Sequence, residues 1–529
     1  MDNGLNGKEF AKKYIAPLAM DFSSSVRFTA AILGSIGLGV CALIVATHQG
    51  IGLFPDSIVY IGTARNILDG RGVQFLNDVG EIAPVIQYPP LYSAMIAALG
   101  ALGLDPLDGA RWLSIFFYAM AAFLSAWIVR RITFSVWASW FACILSLSAF
   151  PMIYVSSQAL TEPIFICFVL IALIMLDEFF ETERSAMFYS AALMIGLSCL
   201  VRYVGIAFVA TGGLAILILS KTRWTSRLLA ALKFGLIGSL PLAIWVARNL
   251  FAGGSATNRT FSFHPPALKD LLPAIDTAGY WLLPISTVEN LPFLSRAVVG
   301  VILLLTVWLL SQSRYLKTRD VQLLVFWLLG YSTFLLVSMS LNDQPLYFDT
   351  RTLALPYMTV MALAVTLICE WLQKKPALPF GLRPALAALL TLQTINGIVW
   401  LKQSYADGIG FATEQWRTSE LIDFARKAPD RALIFSNAPD FIVTLANRPA
   451  RMIPRKINPD TYKPNQHYAA ELDGIRQDLA QPDSILVYFD DDSRLWYLPS
   501  PAELEAMLPL KVIKSARGGK VYRWDDSRV

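Results

Sequence analysis

The feature that most constrains this chain is a train of about eleven apolar runs, at 28–49, 109–129, 133–151, 159–177, 186–201, 204–220, 228–250, 297–310, 321–340, 353–373 and 382–401. About 20 apolar helical residues cross a bilayer core about 30 Å thick, so the runs predict a polytopic α-helical membrane protein. The shorter runs must borrow flanking residues or sit where the bilayer thins. Composition agrees: 55% of the 529 residues are hydrophobic and only 16% are charged, against about 25% charged in soluble proteins. Disordered, collagen-like and secreted disulfide scaffolds are excluded on the same grounds. The 44 basic and 39 acidic side chains leave +5, too even a balance to argue for a nucleic-acid partner. Five cysteines lie unpaired within apolar runs and read as small hydrophobes, and three scattered histidines build no zinc-type cluster.

The first run follows Lys8, Lys12, Lys13 and Arg27. It is too long for a signal peptide, with no small-residue cleavage site before Phe54, and reads as an uncleaved first helix. Basic residues in alternate connections, among them Arg130, Arg131, Lys221, Arg223, Arg227, Arg314 and Lys317, put the N-terminus in the cytoplasm by the positive-inside rule. The run from Leu91 to Leu104 is about 14 residues, too short to span, and is expected as a re-entrant or interfacial helix. Residues 1–401 therefore form a transmembrane domain, with a first outer loop at 50–108 bearing juxtamembrane helices. From 402 to 529 the runs shorten to strand length and charges become dense. Strand and helix patterns alternate there, predicting a small α/β domain with a mostly parallel sheet, placed outside by the odd number of spans.

Acidic groups beside membrane spans are costly unless they face water or a partner. Asp56, directly after the first run, and Glu162, in SSQALTEPIF, stand out on the outer side. On local sequence alone each reads first as an ordinary first-turn acid that favours a helix dipole, with a site acid the other reading. Arg65, Arg202, Arg248 and Arg351 lie near the outer ends of different elements. Guanidinium groups grip phosphate bidentately, so carboxylates and arginines at one depth suggest a base working beside a phosphate leaving group; snorkelling to lipid head groups is the alternative for each arginine. Asp490, Asp491 and Asp492 follow a strand pattern and read as a solvated turn, with cation binding the other option.

In order, D-x-x-x-Y-x-x-x-A-R-N-x-L-x-G-x-G from Asp56, YPPLY from Tyr88, GARWLSIFFYAMAAFL, SSQALTEPIF, LVRYVGIA and FDTRTLALP resemble the GT-C class of membrane glycosyltransferases. The nearest branch is that of the protein O-mannosyltransferases and aminoarabinose transferases. The resemblance spans about 1–401 and implies transfer of a sugar from a polyprenyl-phosphate donor to a lipid, glycan or protein acceptor. It implies that this occurs on the outer face of a bacterial cytoplasmic (inner) membrane, by inverting displacement. It implies catalytic roles for Asp56 and Glu162. Arg65, Tyr88, Arg202, Arg248 and Arg351 are the donor-phosphate candidates. Relatives often carry two adjacent first-loop acids and a lysine before the Pro-Pro pair, where this chain has Ser57 and Tyr88. The departures leave any divalent cation open, because such ions usually take several oxygen ligands. No cofactor is otherwise expected. The competing classes are a polytopic transporter, disfavoured by the lack of an inverted repeat, and a non-catalytic polyprenyl-lipid-binding protein of envelope assembly.

Overall fold

The computed structural model describes residues 22–76, 82–259, 261–341, 348–374, 382–457, 463–490 and 496–528. Lys8, Lys12, Lys13, Asp491 and Asp492 lie outside the described residues. The chain divides into two compact units: one comprises Met1–His48, Ile86–Tyr92 and Ala110–Ala406, the other Gln49–Val85, Ser93–Gly109 and Asp407–Val529. The first outer loop thus contributes most of its length to the unit that holds the C-terminal domain.

The first unit is helical, and every apolar run read from the sequence falls on a helix. Among the described residues, seven helices are long and apolar enough to cross a membrane: Thr29–Ala46, Pro106–Thr133, Glu162–Thr182, Trp224–Gly253, Pro292–Gln312, Arg319–Leu341 and Ala354–Lys374. An eighth span is available if Val136–Ser148 and Phe150–Ser156, bent by 54° at their junction, are taken together. The bend falls at Ala149, just before Phe150-Pro151, where proline biases its neighbours away from a continuous helix. Ser185–Val201 and Ile206–Leu219 are apolar but short; the extended backbone of Arg202 separates the first from the 3₁₀ turn Tyr203–Gly205 that leads into the second. Gly196 lets the Trp224–Gly253 helix approach closely: a Cβ there would lie 2.9 Å from the Pro241 ring. Phe165, Phe208, Trp327 and Tyr331 lock three helices together, with the Phe208 and Tyr331 rings stacked at 5.9 Å and Trp327 Nε1 donating to the Val169 carbonyl.

In the second unit the run around Leu91 forms the short helix Leu91–Ala101, and the first-loop helix occupies Pro55–Leu68. Strand β1 (Gln74–Leu76) pairs antiparallel with β2 (Ile82–Pro84). The C-terminal sheet contains β3 (Ile434–Ser436), β4 (Arg451–Met452), β5 (Ile485–Phe489), β6 (Leu510–Ala516) and β7 (Gly519–Trp524), in the order β4-β3-β5-β7-β6. It is mixed where a mostly parallel sheet was expected. β3 runs parallel to β4 and β5, but β7 is antiparallel to both β5 and β6. The tight Gly518-Gly519 turn, both residues at positive φ, makes the last two strands a hairpin and so fixes their opposed directions. All five residues of β5 are buried. Ile485, Val487 and Phe489 join the core formed with Leu421, Ile422 and Val521, whereas Leu486 and Tyr488 join the other with Leu504 and Tyr522. That double burial explains an unbroken apolar strand.

Candidate functional site

Glu162 opens the Glu162–Thr182 helix, where the dipole of the helix favours a carboxylate. It follows Ser157–Thr161, a non-helical stretch whose residues are all buried. Irregular backbone at membrane depth persists only where protein or a water-lined cavity satisfies its polar groups. Here Trp400 Nε1 donates to Ser157 Oγ at 2.9 Å, Ser114 Oγ donates to the Gln158 carbonyl, and the Gln158 amide donates to the Tyr154 carbonyl. The Glu162 side chain is only 3% exposed.

Two arginines meet on one oxygen of this buried acid. Arg202 Nη1 lies 2.6 Å from Glu162 Oε1, and Arg351 Nε donates to the same oxygen at 3.0 Å. Arg202 Nη1 also donates to Thr161 Oγ1 at 3.0 Å. The helix break at Arg202 aims its side chain at the acid instead of along a helix surface. Arg351 is held by a turn in which the Thr352 amide donates to Asp349 Oδ1 at 2.8 Å, while Tyr331 Oη donates to the Thr352 carbonyl. With one carboxylate between two guanidinium groups, the trio carries one net positive charge. The guanidinium-bearing side chains remain 22% and 24% exposed. Each arginine carries five N–H donors in a planar fork, a geometry that matches carboxylate and phosphate oxygens. Asp349 is exposed, and its Oδ1 accepts from the Thr352 amide within that turn.

A second cluster follows directly in sequence. Tyr203 Oη donates to the Ile86 carbonyl at 2.6 Å and accepts from Trp245 Nε1 at 3.1 Å, and Asn249 Nδ2 reaches the carbonyls of Ile86 and Ala256. Arg248 stacks over the Trp245 ring at 4.8 Å and donates to Asn249 Oδ1. The cluster anchors Ile86–Tyr92, the segment with half-buried Tyr88 and the Pro-Pro pair. Consecutive residues Arg202 and Tyr203 therefore serve the Glu162 trio and this anchor in turn.

The remaining candidates belong to the second unit. Asp56 is half-buried in the first turn of Pro55–Leu68. Arg65, on the same helix, turns its Nη1 to the carbonyls of Val443 and Thr444, 3.3 Å from each. Burial lowers its pKa, with Asp105 opposing the shift. Sequence reasoning passed over Thr161, Tyr203, Asn249, Tyr331 and Trp400. Asn249 and Tyr203 had a signal, being polar residues flanking arginines in apolar runs; Trp400 and Tyr331 had none, because an aromatic residue in a span reads as core.

A carboxylate held by two guanidinium groups is a poor cation ligand. Among the described residues, one trio of acids is close enough to share an ion: Asp177, Glu181 and Asp320, with ligand atoms within 4.8 Å. It lies at the other end of the Glu162–Thr182 helix, where Arg131 pairs with Asp177 at 2.6 Å and Glu178 at 3.0 Å.

Comparison with known proteins rests on fold. The crystal structure of ArnT from Cupriavidus metallidurans bound to undecaprenyl phosphate superimposes with a TM-score of 0.63, covering 94% of this chain and 99% of that one at 13% identity. The chain has the GT-C fold. The archaeal oligosaccharyltransferase AglB from Archaeoglobus fulgidus, in complex with an inhibitory peptide and a dolichol-phosphate, shares the GT-C fold at a TM-score of 0.54 and 12% identity. That match covers 94% of this chain and 74% of AglB. Residues 85–252 match the family model described as dolichyl-phosphate-mannose-protein mannosyltransferase. This part of the GT-C fold contains Tyr88, Glu162, Arg202 and Arg248, whereas Asp56, Arg65 and Arg351 fall outside it. A comparison with curated proteins finds no match to the sequence.

Proposed function

We propose that this protein is a membrane glycosyltransferase that moves a sugar from a polyprenyl-phosphate-linked donor to a lipid, glycan or protein acceptor. The observation that carries the reading is the Glu162 trio. Two partly exposed guanidinium groups are fixed on one buried carboxylate. The fold is also that of a protein whose crystal structure holds undecaprenyl phosphate. Arg202 and Arg351 take the donor phosphate in this account, and Glu162 is the counter-ion that sets their spacing. Tyr88 and Arg248 belong to the same proposal through the anchored Ile86–Tyr92 segment.

The chemistry is an inverting displacement. The acceptor oxygen or nitrogen bonds to the anomeric carbon as the bond from that carbon to the phosphate oxygen breaks. The acceptor proton passes to a carboxylate, for which Asp56 is the candidate on its sequence position, and the electron pair leaves with the phosphate. Fixed guanidinium groups stabilise the charge that develops there, and they need no reorganisation at the moment of reaction. No step is routed through a metal ion. We further propose that all eleven apolar segments span the bacterial inner membrane, the shorter ones with flanking residues, so that the N-terminus is cytoplasmic and the C-terminal domain extracytoplasmic.

The test is to incubate the purified protein with a panel of polyprenyl-phosphate sugars and follow donor consumption by mass spectrometry. Release of polyprenyl phosphate from at least one donor is expected. Donor binding without turnover across the panel and a set of acceptors would instead favour a non-catalytic lipid-binding protein.

A further inference from the structure

The first-loop helix Pro55–Leu68 is attached to the C-terminal domain at two separate points inside the second unit. At its start, Leu53 N donates to the Ile409 carbonyl at 3.4 Å and Phe411 N donates to the Leu53 carbonyl at 3.0 Å, a short parallel bridge. Gly410 makes that approach feasible. Its φ is +57°, and a Cβ there would lie 2.1 Å from the Leu53 carbonyl oxygen. Farther along, Arg65 bonds the carbonyls of Val443 and Thr444. These belong to the π-helical turn Ile442–Ala446, which ends at Asn447 in the left-handed conformation. The guanidinium fork reaches two adjacent carbonyls of that turn. The end of the helix is tied separately, because Asn66 Nδ2 donates to the Gln74 carbonyl of β1.

We infer that the C-terminal domain is the positioning frame for the helix that bears Asp56, and that Arg65 is a positioning residue acting through the Val443 and Thr444 carbonyls. The inference deepens the proposed function and rests on it for the role of Asp56. It assigns the domain a task independent of acceptor recognition. It also removes Arg65 from the donor-phosphate set: a half-buried guanidinium bonded to two carbonyls holds its own helix in place.

The test uses the full-length protein with Arg65→Gln, which keeps most of the volume and removes the fork, and Gly410→Ala, which breaks the bridge without altering any side chain proposed to bind phosphate. Amide hydrogen exchange is measured over residues 55–68, with β5 as the internal control for a folded domain. Both variants are expected to raise exchange across 55–68 by about tenfold while β5 stays protected. Both are expected to lower kcat about tenfold with donor KM changed by less than about twofold, since misplacing a reacting group by about 1 Å costs up to about 100-fold. If Arg65→Gln raises the donor KM, and Gly410→Ala changes neither kcat nor exchange, Arg65 is a phosphate ligand and the inference falls. If β5 loses protection in either variant, Arg65→Lys, which keeps one donor at the site, is expected to restore β5 and leave exchange at 55–68 raised; unchanged exchange there overturns the inference. A wild-type protein inactive on every donor defeats the glycosyltransferase reading alone, because the exchange measurement still decides the frame.

Discussion

Glu162→Gln keeps the shape of the acid and removes its charge, which makes it the sharpest probe of the two-arginine site. The wild-type carboxylate, 3% exposed, receives both guanidinium groups on Oε1 at 2.6 and 3.0 Å. Breaking a buried ion pair by removing one partner costs about 3–5 kcal/mol. Two features of this site reduce that figure: the arginines keep about a quarter of their side-chain surface in water, and the glutamine oxygen still accepts one N–H. The expected loss is therefore about 2–3 kcal/mol. At about 2.1 cal/mol/K of unfolding entropy per residue, a unit of this size would melt about 3 °C lower. The two cations, no longer neutralised, repel and spread. Affinity for a polyprenyl phosphate falls although the site has become more positive. Tryptophan-fluorescence melting in detergent reads the first effect, and equilibrium binding of the lipid reads the second. A variant that melts with the wild type and binds lipid equally well would refute the clamp. Unaltered stability with a collapse of kcat alone would instead make Glu162 a proton-transfer group.

Two further outcomes test other parts of the account. Buried Glu370 accepts from Lys374 Nζ at 2.8 Å, the Arg314 amide at 2.9 Å and Ser313 Oγ, pinning the turn between Pro292–Gln312 and Arg319–Leu341. Glu370→Gln is expected to lower stability by about 2 kcal/mol and raise amide exchange over 313–317 while donor binding holds; unchanged exchange would count against that role. In the C-terminal domain, Glu503 is held at a pKa of about 2 by the Lys456 ammonium and the Ser500 amide it accepts from. A depressed folded pKa stabilises above the ordinary carboxyl range, about 4.3, and that contribution is lost as pH falls toward 2. The group is well exposed, so the effect is under about 1 kcal/mol. Glu503→Gln should flatten the acid limb of the domain's stability between about pH 4.5 and 2, and an unaltered limb would refute it.

The helices were legible in the sequence because lipid permits few alternatives to a long apolar helix, and all eleven runs fall on helices. The short pair on either side of Arg202 shows where run length stops being informative: the chain breaks there to deliver a side chain, and a charged residue inside an apolar run looks the same whether it snorkels or meets a partner. Glu162 and Arg351 are 189 positions apart, so residue type pointed to each and spacing could not pair them. Arg65 reads in sequence like the other outer-side arginines, yet its partners are backbone carbonyls, which have no sequence signature. The Gly518-Gly519 hairpin sets β6 and β7 antiparallel, but the insertion of β7 beside β5 depends on tertiary packing.

The central claim is that Arg202 and Arg351 seat the phosphate of a polyprenyl lipid. The most direct measurement is equilibrium binding of a polyprenyl phosphate, against the matched uncharged polyprenol, to wild-type protein and to the Arg202→Gln/Arg351→Gln double variant. Charge-assisted bonds worth about 1.5–3 kcal/mol each predict that the double variant binds the phosphate at least about 100-fold more weakly, with weak polyprenol binding the same in both. Equal binding of phosphate and alcohol by the wild type, or a double variant that binds the phosphate as the wild type does, would contradict the account.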